Sequence, residues 1–75
     1  MITMYSKDSC SQCKQAEMLM KMKGVEFEIK KLGVDYELED LKLKAPDQKQ
    51  FPVLFDSEGL IGGLNELKAS LVLYV

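Results

Sequence analysis

The spacing of apolar and polar residues along the chain predicts alternating strands and helices. A short apolar run over residues 2–5 and a strict apolar–polar alternation over residues 25–29 are typical of strands. Between them, residues 11–23 carry apolar side chains at helical spacing, and Gly24 ends this helix. We therefore expect a strand–helix–strand unit whose strands run parallel with a right-handed crossover.

The rest of the chain predicts a helix, a hairpin and a final helix. We predict Asp35 as the N-cap of the second helix, which ends at residues 46–47 and whose apolar face is Leu38, Leu41 and Ala45. Residues 51–55 form the next strand, and the turn residues 56–59 connect it to a short strand over residues 60–61. The apolar face of the last helix, which ends in the apolar run 71–75, is Leu64, Leu67 and Leu71. The predicted order is β-α-β-α-β-β-α, an α/β fold.

The composition of the chain argues against several classes of protein. The chain has 75 residues, so we expect one domain over residues 1–75 with a modest core. Its formal net charge is −2 with the signs interspersed, which indicates no nucleic-acid partner, and the absence of histidine excludes histidine chemistry. No apolar stretch approaches the roughly 18 residues of a membrane span, and the first residues do not resemble a signal peptide. With one close cysteine pair, these features predict a cytoplasmic protein that is active in redox chemistry.

That pair, Cys10 and Cys13, contains all the cysteine of the chain and lies at the start of the first predicted helix. Free N–H groups and the helix dipole at this position favour a thiolate, which is the nucleophile of disulfide exchange. Cys10 precedes the helix and is expected to be exposed, whereas Cys13 lies in the first turn on the core face. We therefore predict that Cys10 attacks and Cys13 resolves the mixed disulfide. Lys7 and Lys14 are candidates to add positive potential near Cys10.

Other interpretations of these residues are simpler. The two cysteines could form half of a zinc site, although structural zinc normally takes four ligands, or a static disulfide, although so short a loop stabilises little. Pro52 fits either a cis bond that turns the chain into its strand or an edge strand. Gly62 and Gly63 fit either a simple bend or a close backbone approach to an anionic ligand at a helix N-terminus.

Taken together, these features resemble the glutaredoxin family over the whole chain. The resemblance is carried by residues 31–36, Tyr5, Lys7-x-x-Cys10-x-x-Cys13, Phe51-Pro52-Val53 and Ile61-Gly62-Gly63-Leu64-Asn65. It implies a thioredoxin fold with a four-stranded mixed sheet and a cis Pro52 beside the cysteines. It also implies a monomeric thiol-disulfide oxidoreductase without a tightly bound cofactor or metal, which takes glutathione as co-substrate and reduces protein or glutathione disulfides. Ribonucleotide reductase is a candidate client.

The resemblance also assigns site residues. Cys10 would be the nucleophile and Cys13 the resolving thiol. The backbone of Phe51 would pair with the cysteinyl part of glutathione, and Lys7 with Gln48 or Lys49 would meet its glycine carboxylate. The γ-glutamyl end would meet Gly63, Leu64 and Asn65, and the predicted glutathione-binding set is completed by Gln12 and Pro52.

The centre of the motif departs from the usual glutaredoxin Cys-Pro-Tyr-Cys, because Ser11 and Gln12 stand between the cysteines. Gln12 and the segment Gln50-Phe51-Pro52-Val53 look like NrdH-type redoxins, which feed electrons to ribonucleotide reductase. Residues 61–64 lack the Trp-Ser-Gly-Phe segment typical of those redoxins. Thioredoxin reductase is therefore an alternative electron donor to glutathione. An alternative of a different class is an iron–sulfur cluster shared between two subunits.

Overall fold

The computed structural model describes residues 1–48 and 50–72 and has the predicted order of elements. The elements are β1 (Ile2–Ser6), α1 (Ser11–Met22), β2 (Phe27–Lys31), α2 (Leu38–Lys44), β3 (Val53–Asp56), β4 (Gly59–Gly62) and α3 (Leu64–Leu71). No helix in residues 1–48 and 50–72 is long and apolar enough to cross a membrane.

The strands form one four-stranded mixed sheet in the order β2-β1-β3-β4. Strand β1 pairs in parallel with β2 and antiparallel with β3, which in turn pairs antiparallel with β4. The predicted parallel unit and hairpin are therefore confirmed, as is the four-stranded mixed sheet. Since β1 is a central strand, the loop that follows it leads the chain from the middle of the sheet to α1.

Alternate side chains of the central strands build a core on each face of the sheet. On one face, Met4 and Leu54 pack with the buried residues of α1 and α3. On the other face, Tyr5 and Val53 pack with Leu41 of α2 and its neighbours. The largest fully buried side chains are Met4, Met20, Leu54, Leu67, Leu71, Val53 and Pro52. The result is a three-layer arrangement with α1 and α3 on one side of the sheet and α2 on the other.

Several predicted boundaries were wrong by one or two residues. Helix α1 ends at Met22, and β2 begins at Phe27 because its register is set by pairing with β1, in which Ile2 lies opposite Phe27. Strand β3 begins at Val53, opposite Tyr5, and β4 spans Gly59–Gly62. The predicted apolar end of the last helix, residues 71–75, lies outside the described residues beyond residue 72.

The predicted N-cap of α2 was also wrong. Glu37, not Asp35, is the N-cap, and its N–H donates to the Asp40 carboxylate at 3.2 Å. The Asp35 carboxylate instead accepts a hydrogen bond from the Lys31 N–H at 2.9 Å. Both residues are suitable caps by type, and the tight turn after β2, in which Asp35 engages Lys31, delays the start of the helix to Leu38.

Candidate active site

Cys10 and Cys13 form a disulfide at the start of α1, with their Cα atoms 5.2 Å apart. Cys10 is the N-cap residue of the helix, and the Cys13 N–H donates to Cys10 Sγ at 3.1 Å. The first turn of α1 contains no acidic residue. The sulfur of Cys10 therefore lies where a helix N-terminus stabilises negative charge, with no carboxylate of that turn opposing it.

The expected exposure of Cys10 was wrong. Cys10 is 8% exposed and Cys13 is 5% exposed, and both belong to the core cluster on the α1 and α3 face of the sheet. The Cys10 side chain turns inward, since it both accepts the Cys13 N–H and bonds to the Cys13 sulfur. In this oxidised form the two cysteines are buried to nearly the same extent. They differ in their position, because Cys10 is the N-cap residue and Cys13 lies in the first turn of the helix.

Two cavities lie at the loop that contains the disulfide. The first, called here the Gly63 groove, has a volume of about 340 Å³ and is lined by Gln12, Asp47, Gln48, Gln50, Phe51, Pro52, Gly63, Leu64, Asn65 and Glu66. The second, called the cysteine cleft, has a volume of about 330 Å³ and is lined by Met4, Ser6, Lys7, Asp8, Ser9, Cys10, Cys13, Lys14, Glu17, Ile29 and Lys31. Both cysteines line the cysteine cleft, whereas the Gly63 groove reaches their loop only at Gln12.

The structure brings most of the residues predicted to bind glutathione to the Gly63 groove. They come from three elements: the start of α1, the turn before β3 and the start of α3. The members of the predicted set in this groove are Gln12, Phe51, Pro52, Gly63, Leu64 and Asn65. Gln48 is there too, while Lys49, the alternative to it, lies outside the described residues. The Phe51–Pro52 peptide bond is cis, as the resemblance implies.

Lys7 lies outside the lining of the Gly63 groove, in the cysteine cleft, but it reaches Phe51. Its Nζ lies 5.2 Å from the centroid of the Phe51 ring, a cation–π distance. Lys14 lines the cysteine cleft as well. Both lysines that we considered as sources of positive potential are thus near Cys10.

A third lysine of the cysteine cleft, Lys31, has its charge engaged elsewhere. Its Nζ forms an ion pair with Asp8 Oδ1 at 2.7 Å. The hydrogen bond to the Asp8 carboxylate, together with the charge of that carboxylate, raises the pKa of Lys31. Within residues 1–48 and 50–72, the ion pairs are Lys31–Asp8 and Lys21–Glu17. Neither pair involves Lys7 or Lys14, whose charges are left to act on the cleft.

Sequence reasoning missed two carboxylates of the Gly63 groove, Asp47 and Glu66. Glu66 Oε1 accepts a hydrogen bond from the Gly63 N–H at 2.7 Å, the bond that an acidic residue at the third position of a helix makes to its N-cap residue. The three-residue spacing from Gly63 to Glu66 was a readable signal for this contact. Asp47 had no such signal, because only the fold of the chain between α2 and β3 brings it here.

In the described residues 1–48 and 50–72, no group of three or more cysteine, aspartate or glutamate side chains is arranged to hold a metal ion. Cys10 and Cys13 are joined to each other, and their described neighbours in the cleft include two acidic residues, Asp8 and Glu17. Asp8 is engaged by Lys31 and Glu17 by Lys21.

Comparison with solved structures finds the same fold in proteins from bacteria and a plant. The structure of glutaredoxin 1 from Francisella tularensis complexed with cacodylate superposes with a TM-score of 0.73 at 21% identity, covering 92% of this chain and 88% of that one. The solution structure of a Brucella melitensis glutaredoxin gives a TM-score of 0.72 at 26% identity, covering 91% and 74%. A wheat glutaredoxin gives 0.72 at 21% identity, covering 99% and 84%.

Comparison of the sequence with curated proteins finds no match. The family model for glutaredoxin matches residues 2–61, which include the cysteine pair and the Phe51–Pro52 turn. The topology of the mixed sheet, the disulfide at the start of α1 and this match over most of the chain lead to one conclusion: the chain belongs to the glutaredoxin family of thiol-disulfide oxidoreductases.

Proposed function

We propose that this protein is a dithiol electron carrier that reduces protein disulfides and is itself reduced by glutathione. The observation that supports it most directly is the placement of Cys10 as N-cap of α1, with the Cys13 N–H 3.1 Å from its sulfur. An N–H donor and a helix N-terminus both stabilise a thiolate at Cys10 relative to the thiol. Cys13, in the first turn of the helix, is joined to Cys10 by the disulfide.

In the proposed cycle, the Cys10 thiolate attacks one sulfur of the client disulfide. The client S–S bond breaks, its other sulfur leaves as a thiolate and takes a proton, and Cys10 is held in a mixed disulfide. Cys13 then loses its proton and attacks Cys10 Sγ, which releases the second client thiol. Two electrons have passed to the client, and the protein has the Cys10–Cys13 disulfide of the structure.

Reduction of that disulfide would take two molecules of glutathione. The first glutathione thiolate attacks Cys10 Sγ, and Cys13 leaves as a thiolate that takes a proton. The second attacks the glutathione sulfur of this mixed disulfide, releasing glutathione disulfide and the Cys10 thiolate. The Gly63 groove is the proposed place for the first molecule, because its lining includes Phe51, Pro52 and the first residues of α3.

The charges of the site support an orientation of glutathione in which the glycine carboxylate lies near Lys7 and the γ-glutamyl group lies at the start of α3. Lys7, 5.2 Å from the centroid of the Phe51 ring, would meet the glycine carboxylate, and Gln48 in the lining of the groove would offer an amide donor. At the other end of the groove, the N–H groups at the start of α3 suit the carboxylate of the γ-glutamyl group. The Asp47 and Glu66 carboxylates suit its ammonium group, and this pairing offsets their repulsion of the tripeptide's negative charge.

A coupled assay tests the proposed electron donor. The oxidised protein is supplied with NADPH, glutathione and glutathione reductase, or with NADPH and thioredoxin reductase, and NADPH oxidation is followed with a small disulfide as substrate. We expect turnover in the first system. Turnover only in the second would replace glutathione by thioredoxin reductase, as in NrdH-type redoxins. No turnover in either, with visible absorbance after anaerobic purification, would favour an iron–sulfur protein instead.

A matched pair of lysine variants tests the glutathione groove itself. We expect Lys7→Met to raise the KM for glutathione about tenfold, the scale of one charge-assisted contact. Lys14→Met removes the same charge from the cysteine cleft but away from Phe51, and it should change this KM less. NMR titration of the Cys13→Ser protein with glutathione should shift the amides of Phe51, Gly63 and Leu64. Equal effects of the two lysine variants, with no such shifts at millimolar ligand, would refute the groove.

A further inference from the structure

A second groove opens beside the Gly63 groove, between α2 and the turn that precedes β3. It is called here the Leu38 groove, has a volume of about 550 Å³, and is lined by Leu38, Leu41, Lys42, Ala45, Pro46, Gln48, Gln50, Phe51 and Val53. Most of this lining is apolar, and Lys42 is its one charged member among the described residues. The reactions described above give this groove no role.

The core already forms the floor of the Leu38 groove before any client binds. Leu41, Ala45 and Val53 are each less than 5% exposed and belong to the cluster that packs α2 on the sheet. Leu38 at the rim is 42% exposed, and Phe51 is half-buried. A rigid apolar floor with an open apolar rim can accept one apolar side chain without rearrangement of the core, which keeps the entropic cost of binding low.

The Leu38 groove is continuous with the redox site. Gln48, Gln50 and Phe51 line both it and the Gly63 groove, so that Phe51 forms the partition between the two. Phe51 also packs against the core cluster that contains both cysteines and against the cluster beneath α2. A polypeptide that places a cysteine at Cys10 and continues past Phe51 would therefore pass over this apolar surface.

We propose that the Leu38 groove binds an apolar side chain of the client polypeptide, close in sequence to the client's reactive cysteine. Glutathione does not fill this role, because the tripeptide of glutamate, cysteine and glycine has no apolar side chain to place there. The amides of Gln48 and Gln50 line the passage between the two grooves and carry both donors and acceptors for an extended backbone. The groove would thus select protein disulfides flanked by an apolar residue. This inference rests on the proposed reduction of protein disulfides.

The test compares synthetic peptides that each contain one internal disulfide. In a reference peptide all flanking residues are serine and glycine, and in each member of a series one leucine stands two to six residues from a cysteine, on either side. We expect kcat/KM to rise about tenfold for at least one leucine position, since partial burial of a leucine side chain is worth roughly this factor. Equal rates for all peptides would refute the inference.

Two leucine variants of α2 provide the matched control. Leu38→Gln changes the rim of the groove, whereas Leu43→Gln changes a side chain of the same helix that is 85% exposed and outside the groove. Glutamine keeps a good helix propensity at both positions. The gain from the leucine peptide should be mostly lost in Leu38→Gln and kept in Leu43→Gln. An equal loss in both variants would overturn the assignment.

Two further readouts separate the possible failures. Reduction of a small disulfide, 2-hydroxyethyl disulfide, should be unchanged in both variants. If the parent protein reduces neither it nor any peptide, the proposed function itself fails. Sedimentation velocity at assay concentration should show the same species for all three proteins. A dimer that Leu38→Gln dissociates would show that a second copy of the chain covers the groove, which would overturn the inference.

Discussion

Replacement of Gly62 by alanine tests how the end of the Gly63 groove is held in place. Gly62 has a φ of +122° and Gly59 a φ of +128°, both in the region that L-residues rarely adopt. An alanine at either position is expected to cost about 1–3 kcal/mol of backbone strain. A Cβ at Gly59 meets no atom within 4 Å, so Gly59→Ala measures the strain alone.

At Gly62 the same Cβ meets Glu66. It would lie 2.8 Å from Glu66 Cγ, 2.8 Å from Oε1 and 3.0 Å from Cβ. The Glu66 side chain must therefore turn away, and its 2.7 Å hydrogen bond from the Gly63 N–H is lost. Because Glu66 is exposed, that bond is worth about 1 kcal/mol. We expect Gly62→Ala to lower the free energy of unfolding by about 1 kcal/mol more than Gly59→Ala, or about 4–8 °C in Tm.

Urea unfolding of the oxidised protein at neutral pH, followed by circular dichroism, measures both variants. Glu66→Ala removes the bond and the two 2.8 Å contacts and leaves only the 3.0 Å contact with the Cβ of residue 66, so Gly62→Ala in that background should cost close to what Gly59→Ala costs. The resulting coupling of about 1 kcal/mol between positions 62 and 66 is the specific result expected. If Gly62→Ala costs no more than Gly59→Ala, or if its cost is unchanged without Glu66, the role given to this contact is wrong.

Three further predictions concern the thiols and a buried tyrosine. Cys13→Ser should accumulate a mixed disulfide at Cys10, detected by mass spectrometry, whereas Cys10→Ser should form none with the same substrate; adducts in both variants would refute the order of attack. Alkylation of the reduced protein at mildly acidic pH should label Cys10 first, because the N-cap position favours its thiolate; preferential label on Cys13 in peptide mapping would contradict this. Burial, helped by the charge of Tyr5, raises the pKa of Tyr36 to about 12 from 10.0. The folded state therefore holds the Tyr36 proton longer than the unfolded chain, so stability from this group is intact below pH about 10 and is lost as the pH rises towards about 12. Tyr36→Phe loses the 2.9 Å hydrogen bond to the Ser6 carbonyl, which should cost about 1 kcal/mol at neutral pH. In urea unfolding measured at several pH values, the stability of this variant should fall less steeply above pH 10 than that of the parent protein. If the stability of the two proteins falls equally steeply with pH, the raised pKa of Tyr36 is refuted.

Short-range patterns were enough to predict the order of the helices and strands and the position of the cysteine pair at the start of α1. The alternation around Phe27 and the helical spacing from Cys13 to Met20 report directly which side chains face the core, and the structure buries Cys13, Ala16 and Met20 as expected. The residues around Pro52 left a cis bond and an edge strand open; the resemblance to glutaredoxins implied the cis bond that the structure has. Such features depend on neighbours a few residues apart, which any sequence displays.

The strand boundaries depended on contacts between distant segments, and the N-cap of α2 depended on the turn that precedes the helix. Val25 fits the alternation of a strand, yet pairing with β1 sets the beginning of β2 at Phe27. Asp35 is a suitable cap by residue type, but its carboxylate accepts a hydrogen bond from the Lys31 N–H. The helix therefore begins only at Leu38. Where two residues could make the same local hydrogen bond, only the packed chain determined which one did.

The surroundings of the disulfide were determined by tertiary structure above all. The burial of Cys10 in the core, the approach of Asp47 to the Gly63 groove and the apolar Leu38 groove each depend on the packing of separate elements. A sequence shows which groups can react, because chemistry is carried by residue type and helix ends by local spacing. Which charges and apolar surfaces surround those groups follows only from the packing of α2 and α3 against the sheet, and these surroundings decide what the reactive pair can bind.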